Sequence, residues 1–220
     1  MATSAMNSAD IGNNTGIGIL SAAAANGPNG YTWDVDLSQH VDYPGTNQHI
    51  YELVFQASTG VWKANDLTDA AGAPLALGDL AAYTWDVDLS QHVIYFSTDQ
   101  HIHELVFQAS SGVWHDNDLT DAAGGAQPPL GNPAAHTWDV DLSQHVIYFS
   151  TDQHIHELVF QASSGVWHDN DLTDAAGGAQ PPLGSPAAYT WDVDLSQHVD
   201  YRGSDHPRTG FSGGHGRVAR

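Results

Sequence analysis

A ten-residue motif recurs four times along the chain, and this repetition constrains the fold more than any other feature. The motif Thr-Trp-Asp-Val-Asp-Leu-Ser-Gln-His-Val places its tryptophan at Trp33, Trp85, Trp138 and Trp191, so the spacings are 52, 53 and 53 residues. The units 85–137 and 138–190 differ at only two positions. A period of this length indicates a repeat architecture in which one supersecondary unit was duplicated. The fourth unit is partial, because the pattern is lost after His206.

Each unit contains four short runs that favour β-strands. In the second unit these runs are Tyr83–Asp88, His92–Ser97, His101–Gln108 and Val113–Leu119, separated by clusters of turn-forming residues. No window shows a sustained helical period of apolar residues. The segment Thr120–Ala135 is rich in Ala, Gly and Pro and would cross to the next unit. Four antiparallel strands and a crossover, repeated about every 50 residues, are typical of a β-propeller blade.

The sequence therefore predicts an all-β chain that forms a β-propeller of about four blades. We divide it into an N-terminal segment (1–30), three blade repeats (31–84, 85–137 and 138–190), and a partial fourth blade with a basic tail (191–220). We expect Ile11–Leu20 to be a lone strand that completes the last blade, in its own chain or in a neighbouring protomer. For the tail Pro207–Arg220 three alternatives stay open: a divergent closing strand, a docking arm or a disordered segment.

Charge and composition exclude several classes of partner. The chain carries 5 Lys and Arg residues against 26 Asp and Glu residues, a net charge of −21. Nucleic acids need a basic surface, so we expect no nucleic-acid partner. No apolar run approaches the roughly 18 residues of a membrane span. The absence of Cys excludes disulfides and thiolate metal sites. Residues Met1–Leu20 show no secretory signal, and the compartment stays open.

Three strings carry a resemblance to a known family. They are His-Val-x-Tyr, then His-Ile-His-Glu-Leu, then Gly-Val-Trp-His-Asp-Asn-Asp-Leu-Thr. Together they resemble the blades of fucose-specific propeller lectins and related bacterial propeller proteins, over roughly residues 31–205. The resemblance implies a fucose-like glycan as ligand and favours an extracellular location. Such lectins pair a glutamate of the third strand with an arginine of the second strand and an aromatic residue of a neighbouring blade. The arginine position holds Pro44, Phe96, Phe149 and Arg202, so only the last unit keeps the arginine.

The leading functional hypothesis is weak, multivalent glycan binding. A sugar needs an aromatic plate for its C–H face and a few fixed polar groups for its hydroxyls. The candidates that recur or match the family pattern are Glu52, Glu104, Glu157, Trp62, Trp114, Trp167 and Arg202. A purely structural role is the alternative, since blade tryptophans also pack between sheets and strand glutamates also bind neighbouring polar groups.

Metal binding and catalysis are not predicted, and no cofactor is expected. His101 and His103 lie on one strand face, as do His154 and His156, because side chains alternate along a strand. A complete site needs three or four ligands, and the sequence identifies only two in each unit. Every unit repeats the same His, Asp and Ser inventory, whereas an active site is normally unique in a chain. We therefore expect the protein not to be an enzyme.

Self-assembly is the competing hypothesis, in which incomplete blades exchange strands and form homo-oligomeric rings or fibres. The second strand of the inner units is apolar where the outer units are polar, which indicates either core packing or a patch for another protomer. Residues 1–200 carry 25 acids against Lys63, whereas the last 20 residues carry four arginines. The assembly candidates are Ile94, Phe96, Ile147, Phe149, Arg208, Arg217 and Arg220.

Overall fold

The computed structural model describes residues 27–178, 184–191 and 195–202, together with the backbone of 215–219. Four antiparallel sheets account for nearly all regular structure, and we call them blades 1 to 4. Blade 1 contains β1 (Asn29–Trp33), β2 (Ser38–Pro44), β3 (Ile50–Gln56) and β4 (Val61–Asp66). Blade 2 contains β5 (Ala76–Trp85), β6 (Ser90–Ser97), β7 (Ile102–Gln108) and β8 (Val113–Asp118). Blade 3 contains β9 (Ala134–Trp138), β10 (Ser143–Phe149), β11 (Ile155–Gln161) and β12 (Val166–Asp171).

Blade 4 is shorter than the others. It contains β13 (Ala187–Trp191), β14 (Ser196–Arg202) and β15 (His215–Ala219), in that order across the sheet. Its third position is thus taken by a strand from the C-terminal tail, which pairs antiparallel with β14. The closing strand predicted at Ile11–Leu20 lies outside the described residues, as do Arg208 and Arg220.

The blades follow one another around an axis, as in a β-propeller. Within blades 1 to 3 the strands lie in sequence order, and every neighbouring pair is antiparallel. The first strands of successive blades contact each other, β1 with β5, β5 with β9 and β9 with β13. This arrangement confirms the all-β propeller fold and the last three strand runs predicted for the second unit. The first run was placed too late in the sequence, because β5 begins at Ala76 and ends at Trp85, whereas the predicted run was Tyr83–Asp88.

A single helical turn follows the last strand of each complete blade, and the sequence analysis missed it. These helices are α1 (Leu67–Ala71), α2 (Leu119–Ala122) and α3 (Leu172–Ala175). In blade 2 the Asp118 side chain caps α2 by accepting the backbone N–H of Asp121 at 2.9 Å. Thr120 Oγ1 then accepts the N–H of Ile102 at 3.0 Å, which fixes the turn to the start of β7. One turn is too short to produce a visible helical period.

The hydrophobic core lies between neighbouring blades. One cluster joins Tyr83 and Ile94 of blade 2 to Tyr148 and Leu158 of blade 3. A second cluster joins blade 1 to blade 2, and a third joins blade 3 to blade 4. Each blade is therefore stabilised mainly by its neighbours, since burial of one such side chain contributes about 1.5–3 kcal/mol.

This packing corrects one part of the assembly prediction. Ile94 and Ile147 are fully buried inside the chain's own core, so they cannot also form a surface for another protomer. Phe96 and Phe149 pack against the same inter-blade clusters and are partly buried. The core-packing alternative therefore explains the apolar second strands of the inner units. In the described part of the chain, no helix is long and apolar enough to cross a membrane.

Candidate functional site

A row of four hydrogen-bonded side chains crosses blade 1. Ser38 Oγ lies 2.6 Å from His40 Nε2, and His40 Nδ1 lies 2.6 Å from Glu52 Oε1. The side-chain amide of Asn65 donates to the other glutamate oxygen at 2.8 Å. Ser38 and His40 are two residues apart on β2 and therefore share a face, while Glu52 and Asn65 stand in register on β3 and β4. We call this set the polar row.

The polar row is repeated in blades 2 and 3 with the same geometry. The copies are Ser90, His92, Glu104 and Asn117, and Ser143, His145, Glu157 and Asn170. Blade 4 keeps its first half, with Ser196 Oγ 2.6 Å from His198 Nε2. A tyrosine of the first strand stacks on the histidine ring in blades 1 and 2, with centroids 4.9 Å apart. The imidazole is thus held from the side as well as from both ends.

The order serine, histidine, glutamate is the same as in the catalytic triad of a hydrolase. Here, however, the serine is buried, whereas a catalytic serine is accessible to substrate. Ser38, Ser90 and Ser143 are at most 1% exposed, so their hydroxyls cannot meet a substrate. A nucleophile needs access to the bond that it attacks as well as a neighbouring base. The polar row is therefore suited to positioning groups rather than to nucleophilic attack.

A cleft opens between blades 1 and 2 beside the polar row. Its volume is about 200 Å³. Trp33, Glu52 and Asn65 line it from blade 1, and Phe107 and Trp114 line it from blade 2. The equivalent cleft between blades 3 and 4 has about 480 Å³, because blade 4 offers no counterpart of Trp114 among the described residues. Each cleft combines aromatic walls with a polar floor.

The structure brings together some of the predicted site residues and separates others. Glu52 shares a cleft with Trp114 of the next blade, not with Trp62 of its own blade. Trp62 is 51% exposed at the open side of blade 1. Trp114 and Trp167 are partly buried and pack against the inter-blade clusters. Both therefore also have the packing role that the sequence analysis gave as the alternative to glycan binding. Arg202 ends β14 and is exposed.

The three glutamates are buried rather than displayed. Glu52, Glu104 and Glu157 are each at most 3% exposed. Each carboxylate accepts one hydrogen bond from the histidine and one from the asparagine of its own polar row. Of the three, Glu52 lines the cleft between blades 1 and 2. Sequence reasoning missed their serine, histidine and asparagine partners, although Ser-Gln-His recurs in every unit.

Two aromatic side chains connect blade 1 to blade 2, and their counterparts connect blade 2 to blade 3. The Tyr31 hydroxyl donates to Gln91 Oε1 at 2.9 Å, and the Trp33 indole N–H donates to the Leu89 carbonyl at 2.9 Å. Between blades 2 and 3 the Tyr83 hydroxyl donates to Gln144 at 2.7 Å, and Trp85 donates to the Leu142 carbonyl at 3.2 Å. The leucine carbonyl is presented by a turn in which leucine has a positive φ near 60°. These contacts form the walls of the clefts.

Asp42 and His136 are titratable groups buried at these junctions without hydrogen-bond partners among the described residues. Burial raises the pKa of the Asp42 carboxyl well above its usual value, and the charge of Glu52 raises it further. Burial, together with the charge of His145, lowers the pKa of His136 to about 4. The Gln197 side chain and the charge of Glu157 act in the opposite direction.

The histidine pairs noted in the sequence lie away from the clefts, at the ends of β7 and β11. His101 and His103 lie beside Asp99, and His154 and His156 lie beside Asp152 and Asp171. These groups could hold a metal ion, whereas the polar row already satisfies its own nitrogens and oxygens.

Comparison with solved structures supports the fold. The BP39L lectin from Burkholderia pseudomallei matches 89% of this chain and 52% of its own, with a TM-score of 0.66 and 13% identity. The SapL1 lectin, solved with alpha methyl fucoside, matches 80% of this chain and 55% of its own, with a TM-score of 0.60 and 16% identity. The chain thus spans about half the length of these lectins. Its fold is that of the propeller lectins, as the sequence resemblance implied.

The same fold also occurs in an enzyme. An alpha-L-arabinofuranosidase from Clostridium thermocellum matches 92% of this chain and 70% of its own, with a TM-score of 0.54 and 10% identity. No protein-family model and no curated protein matches the sequence. At these identities the likeness concerns the fold, and function has to be argued from the site.

Proposed function

We propose that the protein is a non-catalytic, glycan-binding propeller whose sites are the clefts between its blades. The observation that carries this proposal is the pairing of Glu52 with Trp114 across one cleft. A buried carboxylate at the floor and an indole at the wall match the two faces of a sugar, its hydroxyls and its C–H groups. The neighbouring SapL1 lectin was solved with a fucoside, so a fucose-like sugar is the first ligand to test.

Repetition of the cleft compensates for weak single sites. A site with a millimolar dissociation constant contributes only about 4 kcal/mol of binding free energy. Several linked sites can raise the avidity by roughly 10²–10⁴ when a glycan surface offers matching spacing. Blades 1, 2 and 3 carry the same polar row, so a multivalent surface follows from the repeat itself.

The absence of catalysis is part of the proposal. Its support is the burial of the serine hydroxyls in the polar row, together with the lectin neighbours. The arabinofuranosidase neighbour makes hydrolysis of arabinofuranosides the relevant control. Release of a chromophore from such a substrate by the purified wild-type protein would contradict the non-catalytic part without touching glycan binding.

Binding should be measured on a glycan array and then by titration with methyl fucoside, under conditions in which light scattering shows a monomer. Trp114→Ala removes the wall of the cleft between blades 1 and 2, and we expect roughly tenfold weaker binding at that site. Trp62→Ala is the matched control, because its indole lies outside the described clefts. A folded protein that binds no glycan, or equal losses in the two variants, would contradict the proposal.

A second function, head-to-tail self-assembly, is favoured by the exposure of the two outer blades. Gln91 and Gln144 accept a tyrosine from the preceding blade and are 2% and 3% exposed, whereas their counterpart Gln39 is exposed. At the other end Trp191 is 47% exposed, whereas Trp85 is 9% exposed. The two outer faces therefore carry the same side chains that join the blades internally.

We propose that blade 4 of one chain docks on blade 1 of a second copy. Tyr189 would then meet Gln39, and Trp191 would meet Phe55 and the Leu37 carbonyl, as their counterparts do between blades 1 and 2. Such a heterologous contact closes into a ring or continues as a fibre. Among the described residues nothing covers these two faces, and a second copy carries the side chains that match them.

Sedimentation velocity across a concentration series tests this proposal. We expect wild-type protein to associate in moderate salt, which screens the repulsion between acidic bodies. Trp191→Ala should reduce association at least tenfold, whereas Leu130→Ser, at another exposed apolar side chain, should leave it unchanged. Monomeric wild-type protein at the highest concentration would rule the assembly out.

A further inference from the structure

Four side chains converge at one end of blade 3, outside the clefts. Asp152, His154, His156 and Asp171 each offer one ligand atom, and these atoms all lie within 4.8 Å of one another. His156 Nε2 lies 3.0 Å from Asp152 Oδ2, and His154 Nδ1 lies 2.6 Å from Asp171 Oδ2. We call these four residues the blade 3 cluster.

Blade 2 carries a related arrangement in which the ligand atoms are spread more widely. Asp99, His101 and His103 form one group, and His101 and Asp118 belong to a second. His103 Nε2 lies 3.0 Å from Asp99 Oδ2 and 3.9 Å from Asp118 Oδ2, while His101 Nδ1 lies 2.6 Å from Asp118 Oδ2. In a tetrahedral zinc site with metal–ligand bonds of about 2.0–2.1 Å, neighbouring ligand atoms are about 3.3 Å apart. The observed separations lie on both sides of this value, so small side-chain shifts would bring the ligand atoms to zinc geometry. We call these residues the blade 2 cluster.

The carboxylates are fixed by the backbone and keep one oxygen for the cluster. Asp152 Oδ1 accepts the N–H of His154 at 3.0 Å, which leaves Oδ2 directed at His156. Asp171 Oδ1 caps helix α3 by accepting the N–H of Asp174 at 2.9 Å, and Oδ2 contacts His154. Both carboxylates are thus oriented before any ligand arrives, which lowers the entropic cost of binding one.

A further carboxylate orients the buried histidine. His156 is 4% exposed, and its Nδ1 lies 3.1 Å from Asp169 Oδ1 on the side away from the other ligands. His103 makes the same contact with Asp116 at 3.0 Å. A metal-bound histidine usually donates its second ring N–H to a carboxylate in this manner, which fixes the tautomer that presents the free nitrogen to the metal.

We propose that each of the two clusters binds one divalent transition-metal ion, with zinc as the ion that fits best. Two imidazoles and two carboxylates provide the nitrogen and oxygen ligands that zinc accepts in tetrahedral sites. The side chains of His154 and Asp152 are 32% and 34% exposed, so an ion can enter from solvent. A bound ion would connect the β10–β11 turn to β12 and α3 of the same blade.

Blade 1 is a natural control. Asn47 replaces the first aspartate, Tyr51 replaces the buried histidine, and Ala64 replaces the orienting carboxylate. His49 and Asp66 remain, 2.9 Å apart, but they provide only one imidazole. Copies that share a fold but differ in these positions allow the ligand set to be tested within one protein.

Isothermal titration of chelator-treated protein with zinc chloride tests the proposal. We expect two ions per chain, one for each cluster. The double variant H154A/H156A should bind one ion, whereas His168→Ala, which removes an exposed histidine of β12, should leave both sites intact. Cobalt in place of zinc should give the intense visible absorption of tetrahedral coordination. Asp169→Asn should keep the stoichiometry and weaken one site roughly 10–100-fold.

The reverse experiment adds a site and does not depend on whether ligand-deleted variants fold. The triple variant N47D/Y51H/A64D should raise the stoichiometry from two ions to three. Absence of zinc binding by the wild-type protein, or binding that is equally strong in a folded H154A/H156A variant, would overturn the proposal. Loss of glycan binding with the zinc stoichiometry unchanged would refute the proposed function and leave the metal sites standing.

Discussion

Asp42 provides the sharpest test of how the blades pack. Its carboxyl is completely buried on β2, and neither oxygen has a hydrogen-bond partner among the described residues. The same position holds Ile94 in blade 2 and Ile147 in blade 3, both also completely buried. We predict that Asp42→Ile stabilises the protein, because it gives blade 1 the residue that its neighbours already carry.

The expected change in the free energy of unfolding has two contributions, the loss of an unpaired buried carboxyl and the gain of buried apolar carbon. Removing a buried polar group without a partner recovers about 1–3 kcal/mol. The isoleucine adds buried apolar carbon at about 0.8 kcal/mol per methylene. We expect a net gain of about 2–4 kcal/mol, or a rise of about 5–12 °C in the melting temperature of a domain of this size. The converse variant Ile94→Asp should cost about 3–5 kcal/mol, since it buries a charge without a partner.

The pH dependence separates the charge of Asp42 from its shape. Because the folded state raises the pKa of this carboxyl, its stabilising contribution is complete below the unfolded value and is lost as pH rises through the folded value. The isosteric variant Asp42→Asn should therefore gain stability relative to wild type as pH rises above the unfolded value of about 4. Denaturant unfolding at several pH values measures both effects. An unchanged or lower melting temperature in Asp42→Ile at pH 7, or parallel pH profiles for wild type and Asp42→Asn, would refute the reasoning.

Two further predictions concern other buried groups. His136 has a pKa lowered to about 4, so it stabilises the fold above its unfolded value near 6.5 and loses about 2–4 kcal/mol of that contribution as pH falls toward 4. His136→Tyr, the residue of the other units, should remove this loss, and identical acid unfolding curves would count against it. Thr120→Val leaves the N–H of Ile102 unpaired and should cost about 1–3 kcal/mol in urea unfolding. Thr59→Val in an exposed turn is its control, and equal costs would show that the bond to Ile102 contributes nothing specific.

The sequence predicted the elements of the fold well because each is encoded locally. Alternating apolar residues and turn formers within one unit are enough to place four strands, and the period of the repeat is enough to indicate blades. The single-turn helices were missed because their signal is one capping aspartate and one threonine. These residues act through a strand that lies 18 positions away, as Thr120 does toward Ile102.

The candidate site was harder to predict because its residues come from different units. Glu52 and Trp114 meet only when blade 2 packs on blade 1. The resemblance implied an aromatic residue from a neighbouring blade, but no pattern within one unit indicates which tryptophan meets which glutamate. The carboxylates of the two proposed metal clusters were missed for a related reason, whereas their histidine pairs were identified from the sequence. Asp152 comes from a turn and Asp171 from a helix cap, two places where aspartate has a sufficient local explanation.

Near-identical repeats show which features of a residue depend on its local sequence and which depend on the blade packed beside it. Gln39 and Gln144 lie in the same ten-residue motif, yet Gln39 is exposed and Gln144 is buried under Tyr83 of the preceding blade. Within the described residues, a blade precedes Gln144 and none precedes Gln39. The motif therefore encodes a junction that a following copy can complete, and the assembly proposed above assigns the same contact to the outer faces of blades 1 and 4. Duplication of this unit repeated the polar row together with the junction residues, so the proposed glycan binding and the proposed assembly both rest on one repeated surface.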